Sequence, residues 1–72
     1  MAREYEYTVI LEYDEGIGEY AALVPALPGC TSQGTTPEEA LANVREAIRG
    51  HIEALHQLGR EIPTESRVKI AV

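Results

Sequence analysis

The fold is decided by residues 36–59, TPEEALANVREAIRGHIEALHQLG. Thr36 stands where an N-cap oxygen is needed, Pro37 takes the first helical position, and Glu39 falls three residues after the cap. In that arrangement the Thr36 hydroxyl accepts from the N3 amide while Glu39 reaches back to the cap amide. Glu38 and Glu39 also meet the positive end of the helix dipole. Leu41, Val44, Ile48, His51, Leu55 and Leu58 then recur at spacings of three and four, flanked by Ala47 and Ile52. That is one apolar stripe, closed by Gly59 as a left-handed C′ residue. The pattern predicts a helix over 37–58 that has to lie on an apolar surface.

The first third of the chain supplies that surface. From Glu4 to Tyr13 the residues alternate, with Tyr5, Tyr7, Val9, Leu11 and Tyr13 on one side and Glu4, Glu6, Thr8, Ile10 and Glu12 on the other. Period-two alternation rich in Tyr and Val is the mark of a half-buried strand. Residues 14–19 (DEGIGE) carry two glycines and read as the turn into a second strand, Tyr20 to Pro25. Placing Tyr13 opposite Tyr20 sets Leu11 against Ala22 and Val9 against Val24, all on one face, and a slip of one residue would turn that apolar set away from the helix. The same register pairs Ile10 with Leu23 on the other face, close to Ala21. This island among glutamates is a candidate oligomer contact.

Two prolines and a glycine in Val24-Pro25-Ala26-Leu27-Pro28-Gly29-Cys30 prevent a central strand and predict a tight bend. A short third strand from Cys30 to Gln33 follows, broken by Gly34. Beyond the helix, residues 60–66 read as a polar connection. Arg67 to Val72 alternate again, with Val68, Ile70 and Val72 on one side. The expected architecture is α+β, in the order β-β-β-α-β: an antiparallel three-stranded sheet, one long helix, and a final strand beside the first.

Composition narrows the function. A chain of 72 residues is expected to be one domain, near the lower limit of what a single core stabilises, so a partner subunit is expected. Six Lys or Arg against twelve Asp or Glu leave a net charge of −6. The basic residues (Arg3, Arg45, Arg49, Arg60, Arg67 and Lys69) are scattered, which disfavours direct binding of nucleic acid. A charge of this size serves solubility and also suits a basic protein partner. The charges threaded through the N-terminus leave no signal-peptide run, and no apolar stretch is long enough to span a membrane. With its single, unpaired cysteine, the chain is expected to be cytoplasmic.

Few residues carry chemistry. His51 and His56 are five apart, about 140° around a helix, and cannot share a metal as an i, i+4 pair could. His51 is expected to be partly buried and His56 to lie on the surface. Cys30 follows a Pro-Gly turn, with no histidine placed beside it as a base, and reads as a packed thiol. Glu6, Glu12, Asp14, Glu15 and Glu19 form an acidic stretch on a solvent-facing strand and turn. They discourage edge-to-edge pairing, and if they have a function it is to attract a basic partner. No cofactor or metal is expected.

The succession from Tyr20 onward resembles the HicB antitoxin family. Its pattern runs approximately Y-x-x-x-x-P-x-L-P-G-C, G-x-T-x-E-E-A-L, E-A and G-x-x-I-P. Here these are Tyr20 to Cys30, Gly34 to Leu41, Glu46-Ala47, and Gly59 to Pro63. The resemblance implies a degenerate ribonuclease-H-like fold and a protein without catalysis that covers HicA, a small basic RNA-cleaving toxin. Two positions depart from the pattern. Many members carry an acidic residue where this chain has Ala26, and another where it has Thr35. Members of this family usually carry a C-terminal DNA-binding domain as well. The chain is expected to be a single HicB-like domain over 1–72 without one, so operator binding is not carried over.

The expected partners are thus a second copy, as a dimer or tetramer through the Ile10/Ala21/Leu23 island or a strand edge, and a small basic toxin. An orphan interaction domain without a surviving toxin is the alternative; finding no small basic reading frame beside the gene would favour it. A residual ribonuclease-H-type nuclease would need several converging carboxylates, and Asp14 is the only aspartate.

Overall fold

Antiparallel pairing builds the sheet in a computed structural model that describes residues 4–72. Strand β1 (Ile10–Asp14) pairs with β2 (Glu19–Leu23), and β2 pairs with β3 (Thr31–Gly34), in the spatial order β1-β2-β3. The hairpin register is the expected one: Tyr13 faces Tyr20, Leu11 faces Ala22, and Ile10 faces Leu23. The turn closes through Gly18, whose positive φ of 68° suits a residue without a side chain and whose amide donates to the Asp14 carbonyl. The rings of Tyr13 and Tyr20 lie 4.9 Å apart, centroid to centroid, as a tilted cross-strand pair.

The ladder is shorter than expected at its open end. Val9 does not pair with Val24, because Val24 donates its amide to the Cys30 carbonyl and starts the bend. Within that bend Leu27 donates to the Val24 carbonyl, Cys30 donates to the Leu27 carbonyl, and Gly29 adopts a φ of 83°. With β2 drawn away, residues 4–9 are not a strand. They keep the alternating burial that their sequence predicts, with Tyr5, Tyr7 and Val9 half-buried and their neighbours exposed.

Helix α1 (Pro37–Gln57) begins as expected. The Thr36 hydroxyl accepts from the Glu39 amide at 3.1 Å. The Glu39 carboxylate reaches back one residue further than expected, to the Thr35 amide and hydroxyl, each at 3.2 Å. At the other end Gly59 has a φ of 68° and donates to the His56 carbonyl, while Arg60 donates to the Leu55 carbonyl. These two bonds form a complete Schellman closure.

The core consists of Ala22, Val24, Leu27, Cys30, Ala40 and Val44, with Tyr7, Val9, Tyr20, Ala47 and Ile48 packed around it. The helix is rotated from the stripe read in the sequence. Ala40 is fully buried, whereas Leu41 is 41% exposed and Leu58 is 68% exposed. The reason is Gly34. A methyl group there would meet the Ala40 amide nitrogen at 2.5 Å, so bare backbone lets the start of the helix press onto β3 along its small side. The helix contacts β3 and β2 but leaves β1 largely uncovered, with Leu11 and Tyr13 in solvent.

The expected fourth strand is absent: residues 60–72 form no strand. Side chains, not a backbone ladder, hold the start of this segment. The Tyr7 hydroxyl donates to the Pro63 carbonyl at 2.6 Å, and the Glu65 carboxylate accepts from the Thr8 amide and hydroxyl at 2.7 and 2.9 Å. Pro63 has no amide to contribute to a ladder, and the Thr8 amide is already engaged. Val68, Ile70 and Val72 are left exposed.

Candidate partner-binding surfaces

The motif residues are occupied with building the fold. Tyr20 packs on the core, Leu27 and Ala40 are fully buried, Gly29 turns the chain, Gly34 admits the helix, and Thr36 and Glu39 cap it. Cys30 is 4% exposed, and burial pushes its thiol pKa up, which makes it a weak nucleophile. No polar or charged side chain is buried, and no three His, Cys, Asp or Glu side chains are grouped to hold a metal, among the described residues. His51 is half-buried and His56 exposed.

On the surface, the five acidic residues of the candidate partner-binding stretch fall into two groups. Glu12, Asp14, Glu15 and Glu19 gather along β1 and its turn. Asp14 lies directly opposite Glu19 in the ladder, and one of its carboxylate oxygens is taken by the Gly16 amide at 2.9 Å. Like charges held face to face repel each other, so a cationic group laid across them would be stabilised by both. Glu6 stands apart, beside Thr8, Glu65 and Arg67.

The structure brings the oligomer candidates together. Ile10 faces Leu23, and Ala21 faces Glu12 two rungs along, on the same face. Alternation sets this strip on the side of the sheet away from the helix. Ile10 is 44% exposed, and with Leu23, Pro25 and Pro28 it lines a depression of about 340 Å³. The two prolines were read in the sequence only as breakers of a strand. Their place beside the island follows from the bend and has no local signal. A larger hollow of about 820 Å³ lies between the second half of α1 and residues 60–64, lined by Tyr5, Ile52, Glu53, His56, Arg60 and Ile62 among others.

Tyr7 joins the two end segments. Burial, then the neighbouring Tyr5 phenol and the Glu65 carboxylate, hold its pKa above the ordinary value, so the hydroxyl stays a donor to Pro63. The sequence signal for this contact was the Ile-Pro pair at 62–63, whose partner only the fold reveals.

The described residues thus form a small α+β domain whose sheet carries an acidic flank. A family of HicB-like antitoxins of bacterial toxin–antitoxin systems matches residues 7–72, and the chain belongs to that family. It is similar to the N-terminal domain of antitoxin HicB from Burkholderia pseudomallei, whose crystal structure superposes with a TM-score of 0.70 at 37% identity. That match covers 83% of this chain and 69% of the other. It is also similar to the UPF0150 protein Ta0767 of Thermoplasma acidophilum, 49% identical over 67 residues, or 93% of this chain and 96% of that one. The UPF0150 protein ssr1765 of Synechocystis is 47% identical over 64 residues, covering 89% and 80%. No helix among the described residues is long and apolar enough to cross a membrane.

Proposed function

We propose that this chain is a non-catalytic HicB-like antitoxin domain that binds a small basic HicA-type RNA-cleaving toxin and neutralises it by covering it. The family match over residues 7–72 carries the reading. The net charge of −6 and the exposed carboxylates at Glu6, Glu12, Asp14 and Glu15, with half-buried Glu19 beside them, support a basic partner. Complementary potentials of this kind speed encounter and fix orientation. The domain acts as a homo-oligomer in the cytoplasm and does not bind nucleic acid directly.

Co-expression of the full chain with a small basic protein encoded beside it tests this. The expected result is a co-purifying complex and restored growth, with the association rate falling as salt is raised. Replacing Glu12, Asp14 and Glu15 by lysine is expected to weaken the complex while the sheet stays folded. Absence of both complex and rescue would overturn the proposal.

A further inference from the structure

We propose that residues 67–72 of one copy add as a fourth strand to the free edge of β1 in a second copy, and that the exchange is reciprocal. The proposal deepens the homo-oligomer part of the function above and does not depend on the toxin.

The edge is open. β1 pairs with β2 alone, and all five of its residues are exposed. An uncovered edge is a template for another strand. The other edge is less available, since Gly34 lies beneath the helix start and the Asn43 amide donates to the Gln33 carbonyl at 2.8 Å.

The segment fits that edge on both faces. Val68, Ile70 and Val72 are 79%, 76% and 122% exposed, and no hydrogen bond or ion pair holds residues 67–72 among the described residues. Six residues of strand span about 20 Å, enough to run the length of β1. Laid alongside it, the three apolar side chains meet Leu11 and Tyr13 on the helix side of the sheet. Arg67 and Lys69, two of the six basic residues, then fall on the side of Glu12. Opposite charges across a strand pair attract, and apolar side chains on one face pack together.

The occupant is a second copy because the chain's own residues 67–72 form no strand on that edge. A ladder running on from residues 63–65 along the same molecule would need the Thr8 amide, which the Glu65 carboxylate holds at 2.7 Å. The chain is correspondingly extended. Its radius of gyration is 14.0 Å, against about 11 Å for a compact domain of this length. A two-fold exchange uses both edges and both segments and closes the assembly.

The test uses full-length chains co-expressed under two different tags, one carrying Glu12→Cys and the other Lys69→Cys, treated with a short bifunctional maleimide. These are central positions of the two strands, so either strand direction brings them together. Buried Cys30 serves as the unreactive background. The expected result is a cross-linked species bearing both tags, together with a dimer mass by light scattering. Ile70→Lys, at an exposed site outside the core, is expected to return that mass to one chain. A link found only within a single chain carrying both cysteines would overturn the proposal in favour of the molecule's own edge. A dimer mass with no 12–69 link would overturn it in favour of another surface, and a monomer with no link would overturn it outright.

Discussion

Adding one methyl group at two different glycines is expected to move stability in opposite directions. In Gly34→Ala the new methyl would sit 2.5 Å from the Ala40 nitrogen and 2.9 Å from the carbonyl carbon and Cβ of Glu39. The nearest of these is about 1 Å inside ordinary contact, and two of the three are backbone atoms of a capped helix, so the helix itself has to shift. Overpacking of this kind costs about 2–3 kcal/mol, out of a total of about 4–10 kcal/mol for a chain of this length. Gly50 lies inside α1 with nothing within 4 Å of an added methyl. Gly50→Ala therefore gains about 1 kcal/mol of helix propensity. Urea unfolding followed by circular dichroism, at one fixed protein concentration, reads both. With a slope of about 1 kcal/mol per molar, the midpoint should fall by about 2–3 M for Gly34→Ala and rise by about 1 M for Gly50→Ala. A Gly34→Ala protein as stable as its parent would refute the close helix–strand approach from which the rotation of α1 is argued.

Three further perturbations probe separate contacts. Thr36→Ala removes the cap acceptor and should cost about 1 kcal/mol, read by the same unfolding curves. The Tyr7 phenol has its folded pKa raised above the ordinary value, so its contribution is full below about pH 10 and is lost as pH rises through the folded value. Tyr7→Phe should lose about 1 kcal/mol at neutral pH and flatten that alkaline decline, and an unchanged alkaline limb would remove Tyr7 as its source. Cys30 should react with a thiol reagent at least tenfold more slowly in the native protein than in urea, and equal rates would contradict its burial.

Local chemistry was the legible part of this fold. Thr36, Pro37, Glu39 and Gly59 set the ends of the helix through bonds within a few residues of themselves, and alternation between Ile10 and Tyr13 sufficed for the hairpin register. What depends on distant backbone was not legible. The rotation of α1 toward Ala40 arises from a missing side chain at Gly34, to which hydrophobic periodicity is blind. The pattern in residues 67–72 states that a strand is possible but names no edge. The same limit applies to the surface. Exposure of Glu12, Asp14 and Glu15 could be read from their positions in a strand and turn, whereas the joining of Pro25 and Pro28 to the Ile10/Leu23 strip needed the bend. Glu39, expected at the Thr36 amide, reaches one residue past it, because its two carboxylate oxygens are taken by the Thr35 amide and hydroxyl.

The six core residues all lie between Ala22 and Val44. Contacts between residues so near in the chain close small loops, and small loops form quickly. On refolding, this kernel is therefore expected to close first, and residues 60–66 to dock onto it afterwards through Tyr7 and Glu65. An order of events is then built in: the body is assembled first, and residues 67–72 meet a sheet edge that is already in place.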